Sequence, residues 1–419
     1  MKKIVIFFLC CISFISFSIE SFIYRIFPEE IYPGMVVSIY GKWNSDISNV
    51  YIMINNIKIE NDYILYFSNE RIDLLITDFY GISNFYLNSS GNSTSRILNI
   101  KTLTPIRYFS KATYKLKYTV KIDFSKIIKI GSGIVYVYIP QPVLSDTILS
   151  KKDIDISRLP DYIQDNGIYI YKIDLNKERF FSFEQVYEMT TQFKFVELTD
   201  DIEPFYENIN LDFYKFYTGE NSFIKPYNKL IQNTVKKIIG DEKNNIKKLR
   251  LIYNWVRSKM THKYPPESRD VEYIFENFKG DCLSDTILFS SLARSIGIPV
   301  RINSGNIFYP VWKIAGGHFW QEAFISGIGW IPLDVSLGHA PEFMKNQNFP
   351  TDTEYYYGGA DGLRIDFCRG RVKIMKPDEN DILKTDHYLE SLQYPYVVPK
   401  DVGNTKVIPD IKSKIDILE

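Results

Sequence analysis

Apolar positions alternate with polar ones in short runs over the first half of the chain, fall at helical spacing after about residue 215, and then alternate again. Residues 35–40 follow Pro33-Gly34 as an extended run, and 50–54 and 57–59 flank Asn55-Asn56, a hairpin signal. Short strands of this kind, continuing to the polar stretch 88–93, predict a small β-sandwich of immunoglobulin-like type over 19–103. Strands are also predicted at 119–124 and 134–139 around Gly131-Ser132-Gly133, at 168–171 after Asn166-Gly167, and at 185–196. They form a second β-rich domain at 104–215.

From 216 the period changes. Residues 227–239 read as a helix that Gly240 can end. Asn244 or Asn245 can cap the next helix, along which Ile246, Leu249, Tyr253 and Val256 trace an apolar stripe. Asp270 can cap a short third helix through Phe278, and Gly280 then turns the chain into a fourth. There Asp281 is a good N-cap, Leu283, Ile287, Leu288 and Leu292 recur at helical spacing, and Gly297 and Pro299 mark the stop. This predicts an amphipathic helix with Cys282 in its first turn.

The pattern reverts to extended at 318–325 and 330–335, with turn chemistry at 326–329. A hairpin centred near Ser326 would set His318 directly opposite Asp334 on one face, whereas a slip of one residue would part them. Residues 364–367 and 372–374 predict closing strands of a core spanning 216–376. Beyond Lys376 the signals thin, and Pro395, Pro399 and Pro409 fall in a polar stretch, so 377–419 is expected to be a partly ordered tail.

Cys282, His318 and Asp334 are the parts of a nucleophilic acyl-transfer site: a thiol to attack, an imidazole to move protons and a carboxylate to orient the imidazole. Free backbone N–H groups at a helix start favour a thiolate and could also serve a developing oxyanion. A second oxyanion donor would come from 255–264. Trp320 and Glu322 share a strand face with His318 and are candidate walls of the site. Ordinary cross-strand packing is the competing reading for Trp320, and a satisfied surface carboxylate for Glu322. His339 is a rival base by proximity, but its Gly and Pro surroundings predict a surface loop.

Taken together, Gly280-Asp281-Cys282, Ser295-Ile296-Gly297-Ile298-Pro299-Val300-Arg301, His318-Phe319-Trp320-Gln321-Glu322 and Gly329-Trp330-Ile331-Pro332-Leu333-Asp334 resemble the transglutaminase-like superfamily. The resemblance implies an α+β chain, in which two N-terminal all-β, sandwich-like domains precede a papain-like core. It makes Cys282 the nucleophile, His318 the general base and Asp334 the orienting acid. The region 104–215 is similar to the β-domain that often precedes bacterial cores of this family, and 355–365 to the closing part of the core.

Charge narrows the partners. Fifty basic and fifty acidic residues balance, which gives no reason to expect nucleic acid. The four histidines make no two-His helical motif, and neither a metal nor another cofactor is expected. Lys2 and Lys3 precede an apolar run to about Phe17, which reads as a signal peptide at 1–18 and predicts export to the periplasm or beyond the cell. An uncleaved anchor is the alternative, and no later stretch is long enough to span a bilayer. The mature chain would keep Cys282 and Cys368, which leaves a disulfide open as a rival to a reactive thiol. The functional expectation is hydrolysis of peptide, amide or isopeptide bonds in a protein or peptide substrate, those of the cell envelope included. Its alternatives are amine-acceptor cross-linking and a non-catalytic envelope or adhesion protein that uses the core as a scaffold.

Overall fold

The computed structural model describes residues 22–43, 50–55, 57–59, 61–89, 92–127, 132–164, 167–200, 202, 211–339, 349–350, 352–374, 387–400 and 409–418. The expected signal peptide, 1–18, lies outside them. Among the described residues no helix is long and apolar enough to cross a membrane. The chain is α+β with a β-rich N-terminal part, and it divides into two compact units.

The first unit takes in 22–31, 36–76 and 80–100. One four-stranded sheet runs Phe22–Phe27, Val36–Lys42, Arg71–Leu75, Ile64–Phe67, and the other runs Ile57–Lys58, Val50–Ile54, Gly81–Ser89, Asn92–Ile100. Every pairing within them is antiparallel. Period-two alternation turns Val37, Ile39, Ile72 and Leu74 of the first sheet and Ile52, Ile54, Phe85 and Leu87 of the second inward, where all are buried.

In the second unit one antiparallel sheet carries both the β-rich stretch and the hairpin of interest. Its order is Ile148–Ile156, Phe180–Val196, Ile106–Asp123, Asp410–Ile417, Ile314–Ile325, Val300–Tyr309, Arg364–Arg369. Gly329–Leu333 pairs off this path with Ile314–Ile325. The sheet thus runs through residues that the sequence divides between 104–215 and 216–376. Its longest ladder joins strands of 18 and 17 residues, Ile106–Asp123 and Phe180–Val196. Within the stretch expected as a tail, Tyr396–Pro399 joins a second sheet beside Ile134–Ile139, and Asp410–Ile417 enters the main one. Both contribute buried apolar residues, Val397, Val398 and Ile415 among them, and this burial fixes them in place. Close approach also dictates Gly305, since a Cβ there would lie 1.7 Å from the Ile365 carbonyl oxygen.

Among the described residues of this unit there are six α-helices: α1 (Asp212–Thr218), α2 (Lys229–Ile239), α3 (Asn245–Lys259), α4 (Val271–Asn277), α5 (Cys282–Arg294) and α6 (Val335–Gly338). Asn228 and Asn244 cap α2 and α3 through their side chains, as Asn residues do when N–H groups would otherwise go unpaired.

The expected amphipathic character of α5 is corrected by the structure: every residue from Ser284 to Arg294 is buried. Burying Ile287, Leu288, Phe289 and Leu292 contributes roughly 1.5–3 kcal/mol each. Two hydroxyls of α5 close their hydrogen bonds within the helix. Thr286 donates to the Cys282 carbonyl at 2.8 Å and Ser291 to that of Ile287 at 2.8 Å. Hydroxyl-rich helical sequence mimics a wet face while fitting a dry one, so periodicity alone misreads it.

Candidate active site

Cys282 owes its place to the two residues before it. Gly280 lies in a short parallel pairing with His262, and a Cβ on it would fall 2.3 Å from the Ser284 side chain. Asp281 then caps α5, accepting from the Ser284 N–H and Oγ at 3.1 Å each, and its other oxygen is held by Arg269. Cys282 is therefore the first residue of the helix, and it is partly open to solvent.

His318 projects from the strand Ile314–Ile325. Its Nε2 lies 2.7 Å from Asp334 Oδ2, and the Cys282 sulfur is near enough to act on the charge of the ring. With Nε2 on the carboxylate, Nδ1 is the ring nitrogen left to face a partner. Burial works against a charged imidazole here. The negative charges of Asp334 and Cys282 and the hydrogen bond to Asp334 outweigh it, so the His318 pKa is pushed up to about 10.

The hairpin register differs from the one expected. Gln321 faces Leu333 and Ile325 faces Gly329, so the hairpin is centred on Gly327 and Asp334 is two residues out of line with His318. A shift of two keeps both side chains on one face, and they meet diagonally across the ladder. Gly327 and Gly329, both at positive φ, allow the tighter turn.

Asp334 is fully buried and has two further ties. Its Oδ1 accepts from the Leu337 N–H at 2.9 Å, capping α6, and Arg364 Nη1 lies 3.3 Å from Oδ2. Burial opposes its charge, but His318, Arg364 and the Leu337 N–H hold the carboxyl below its usual range.

Residues 232–335 match the Transglutaminase-like superfamily. This stretch is a transglutaminase-like core. A Haemophilus influenzae protein named only "Uncharacterized protein" is 28% identical over a segment covering 25% of this chain and 35% of that relative, so the chain spans about a third of its length. Among solved structures, one from Cytophaga hutchinsonii named a "Putative Cysteine Protease" is 15% identical, with 75% of this chain and 100% of that chain covered and a TM-score of 0.45. A "putative protease" from Parabacteroides distasonis is 8% identical, covering 74% of this chain and 64% of that one, with a TM-score of 0.22.

Around the triad of the transglutaminase-like core the structure sorts the other candidates. Trp320 is buried and stacks on the His318 ring, with centroids 5.9 Å apart and planes 17° apart; the Arg364 guanidinium lies 4.8 Å from its ring centre. It backs the imidazole instead of walling an open cleft. Glu322 is neither a site wall nor a surface carboxylate: it is buried, and its oxygens are taken by Arg301 at 2.7 Å, Asn303 at 2.8 Å and Arg369 at 3.0 Å. Burial opposes that charge, but the two guanidinium groups hold the carboxyl far below its usual range.

His339 is not the surface loop residue expected. Its Nε2 is 3.1 Å from Asp285 Oδ2 on α5, and its side chain is mostly covered. Cys282 and Cys368 are free thiols, so the bridge left open by the sequence is not formed. Burial pushes the Cys368 thiol up to about 12, and its sulfur donates to the Gly370 carbonyl. In the stretch suggested for a second oxyanion donor, the Thr261 and Lys263 N–H groups are spent on the Phe278 and Gly280 carbonyls, at 2.8 Å each.

Four contributors escaped sequence reasoning. Arg364, bonded to Asp361 as well as Asp334, supports the His318–Asp334 pair from behind. Gln393 donates to the carbonyls of both Gly305 and His318, at 2.8 and 3.1 Å, and so fastens the segment carrying Tyr394 to the strand that carries His318. Tyr309 and Tyr394 lie against the glycines before His318: a Cβ at Gly316 would fall 2.9 Å from the Tyr309 ring and one at Gly317 2.4 Å from the Tyr394 hydroxyl. Burial raises both phenols, taking Tyr309 to about 12. Arg364 beside Ile365 at the start of a predicted strand was the one available signal, because a charge placed among core residues needs a partner.

Proposed function

We propose that the transglutaminase-like core is an exported cysteine acyl-transfer enzyme acting on peptide, amide or isopeptide bonds, with water as the usual acceptor. The observation that carries this reading is the hydrogen bond of His318 to Asp334, together with the influence on the same ring of Cys282, which stands at the start of a buried helix.

The Cys282 sulfur attacks the substrate carbonyl carbon, and the backbone N–H of Cys282 at the helix start serves the oxyanion that develops. His318 carries its proton through neutral pH, because its pKa is pushed up to about 10. It gives that proton to the departing nitrogen as the C–N bond breaks, leaving a thioester. The neutral imidazole then takes a proton from water as the water oxygen attacks the thioester. The C–S bond breaks, and a carboxylic acid and the Cys282–His318 pair are released. Asp334 holds the ring in place and stabilises its charged form. Water is favoured as acceptor because the sulfur is partly open to solvent. Export rests on Lys2, Lys3 and the apolar run after them.

The test is labelling with a thiol-reactive electrophile, comparing the wild type with Cys282→Ala and His318→Ala. Rapid labelling that disappears with Cys282 and slows strongly without His318 is expected; equal, slow labelling with and without His318 would sink the reading. A peptide-hydrolysis assay run beside a glutamine-donor, amine-acceptor assay then decides the acceptor.

A further inference from the structure

The carboxylate proposed to orient His318 sits on a weak element. Asp334 caps α6, a helix of only four residues, through the Leu337 N–H, while the Gly338 N–H donates to the Asp334 carbonyl at 2.9 Å. A single turn does not hold itself in water, since nucleation costs more than one or two hydrogen bonds return. Neighbouring elements must therefore hold it. At the Asp334 end these are His318 and Arg364. Along its length α3 approaches closely: Tyr253 donates to the Asp334 carbonyl at 3.2 Å, and a Cβ at Gly338 would fall 2.2 Å from the same hydroxyl oxygen.

The far end is held by charge. His339 directly follows the turn, and its Nε2 is 3.1 Å from Oδ2 of Asp285. Asp285 is 1% exposed and stands three residues after Cys282, in the first turn of the same helix. Burial disfavours the ionised carboxyl and the charged imidazole alike, and each is the other's partner against it.

We propose that the Asp285–His339 pair is a positioning device: it ties the turn carrying Asp334, and through Asp334 the His318 ring, to the helix that presents Cys282. The nucleophile and its base come from separate parts of the chain, and this pair references both to one buried helix. The inference rests on the triad reading above. It also assigns a role to His339 that does not touch substrate.

The test compares the wild type with H339A, H339Q, D285N, the D285N/H339Q double variant and H318A. It measures kcat and KM for a thioester-forming substrate, the thermal midpoint, and the downfield proton resonance of the His318–Asp334 hydrogen bond. Loosening a catalytic group by about 1 Å costs on the order of 10²-fold, so H339A is expected to lower kcat by about 10- to 100-fold with KM unchanged, and to shift or broaden that resonance. H339Q, which keeps a neutral N–H donor for Asp285, should recover most of the loss and guards against misfolding. The double variant should be no worse than the poorer single one, because both changes remove one interaction.

Wild-type kcat in H339A alongside inactive H318A would overturn the proposal while leaving the triad intact. A loss that follows the thermal midpoint, with the resonance unmoved, would also overturn it by reducing the pair to a packing contact. If H318A labels at Cys282 as fast as the wild type, the triad reading fails first and takes this one with it.

Discussion

His318 and Glu322 stand four residues apart on one face of the strand Ile314–Ile325, and the fold treats their charges in opposite ways. Glu322 is enclosed: two arginines and an asparagine take its oxygens, all of them buried or nearly so. His318 is just as buried, but carboxylate and ring contacts take up one side of it. Asp334 and the Trp320 ring fix it from behind, and the other charge that acts on it is on a sulfur partly open to solvent. Burial of a charged group is therefore not in itself a mark of reactivity. What separates the two ends of the strand is whether the hydrogen-bonding capacity is closed off or ends on an atom that can react.

The largest effect tests the open end. Replacing Cys282 or His318 by Ala should lower acyl transfer by three or more orders of magnitude, measured as steady-state turnover. Asp334→Asn keeps the shape and removes the charge; a loss of about 10²–10⁴-fold is expected, with the protein still folded by circular dichroism.

The closed end should respond in stability instead. Glu322→Gln removes the carboxylate that two buried guanidinium groups share, leaving Arg301 with Asp78 and Arg369 with Asp78 and Asp366, and should cost up to about 3–5 kcal/mol in denaturant unfolding, while turnover per folded molecule stays at the wild-type level. A turnover loss as deep as that of Asp334→Asn would erase the distinction.

A smaller effect is the pH dependence of the open end. The His318 pKa is raised from 6.5 to about 10 in the folded protein, so the imidazolium's contribution to stability is complete below pH 6.5 and is lost as pH rises towards 10. The thermal midpoint should fall across that window, and His318→Asn should flatten the fall. Smallest of all, Cys368→Ala should leave turnover unchanged, and Cys368 should label only after unfolding, because its thiol is buried and pushed up to about 12.

Local rules reached the parts of this molecule that local rules govern. Asp281 and Asn244 cap where short polar residues before apolar stripes predict caps, and Cys282 opens its helix for the same reason. The hairpin was legible from Ser326 to Gly329, but its register was not, because two glycines permit centres one residue apart, which shifts the pairing by two and keeps the same faces inward. The fate of Glu322 was hidden for a different reason. Arg301 and Arg369 lie far from it in sequence on either side, and the pattern His-Phe-Trp-Gln-Glu does not announce which of its two polar ends will be closed. Arg364 and Gln393 reach the site from 30 and 75 residues beyond their partners, a separation that periodicity does not register.

The strand Asp410–Ile417 has a consequence for the order of assembly. It lies between Ile106–Asp123, which it pairs along its whole length, and the catalytic strand, which it meets at Ile314. A ribosome making about 5–20 residues per second delivers it roughly 15–60 s after its partner at 116–123. Until then the long strand presents a bare edge, a template for pairing with other chains. The hairpin of His318 and Asp334 meanwhile lacks the neighbour that joins it to the long strand of its sheet, so the sheet that holds that pair closes only when the last strand arrives.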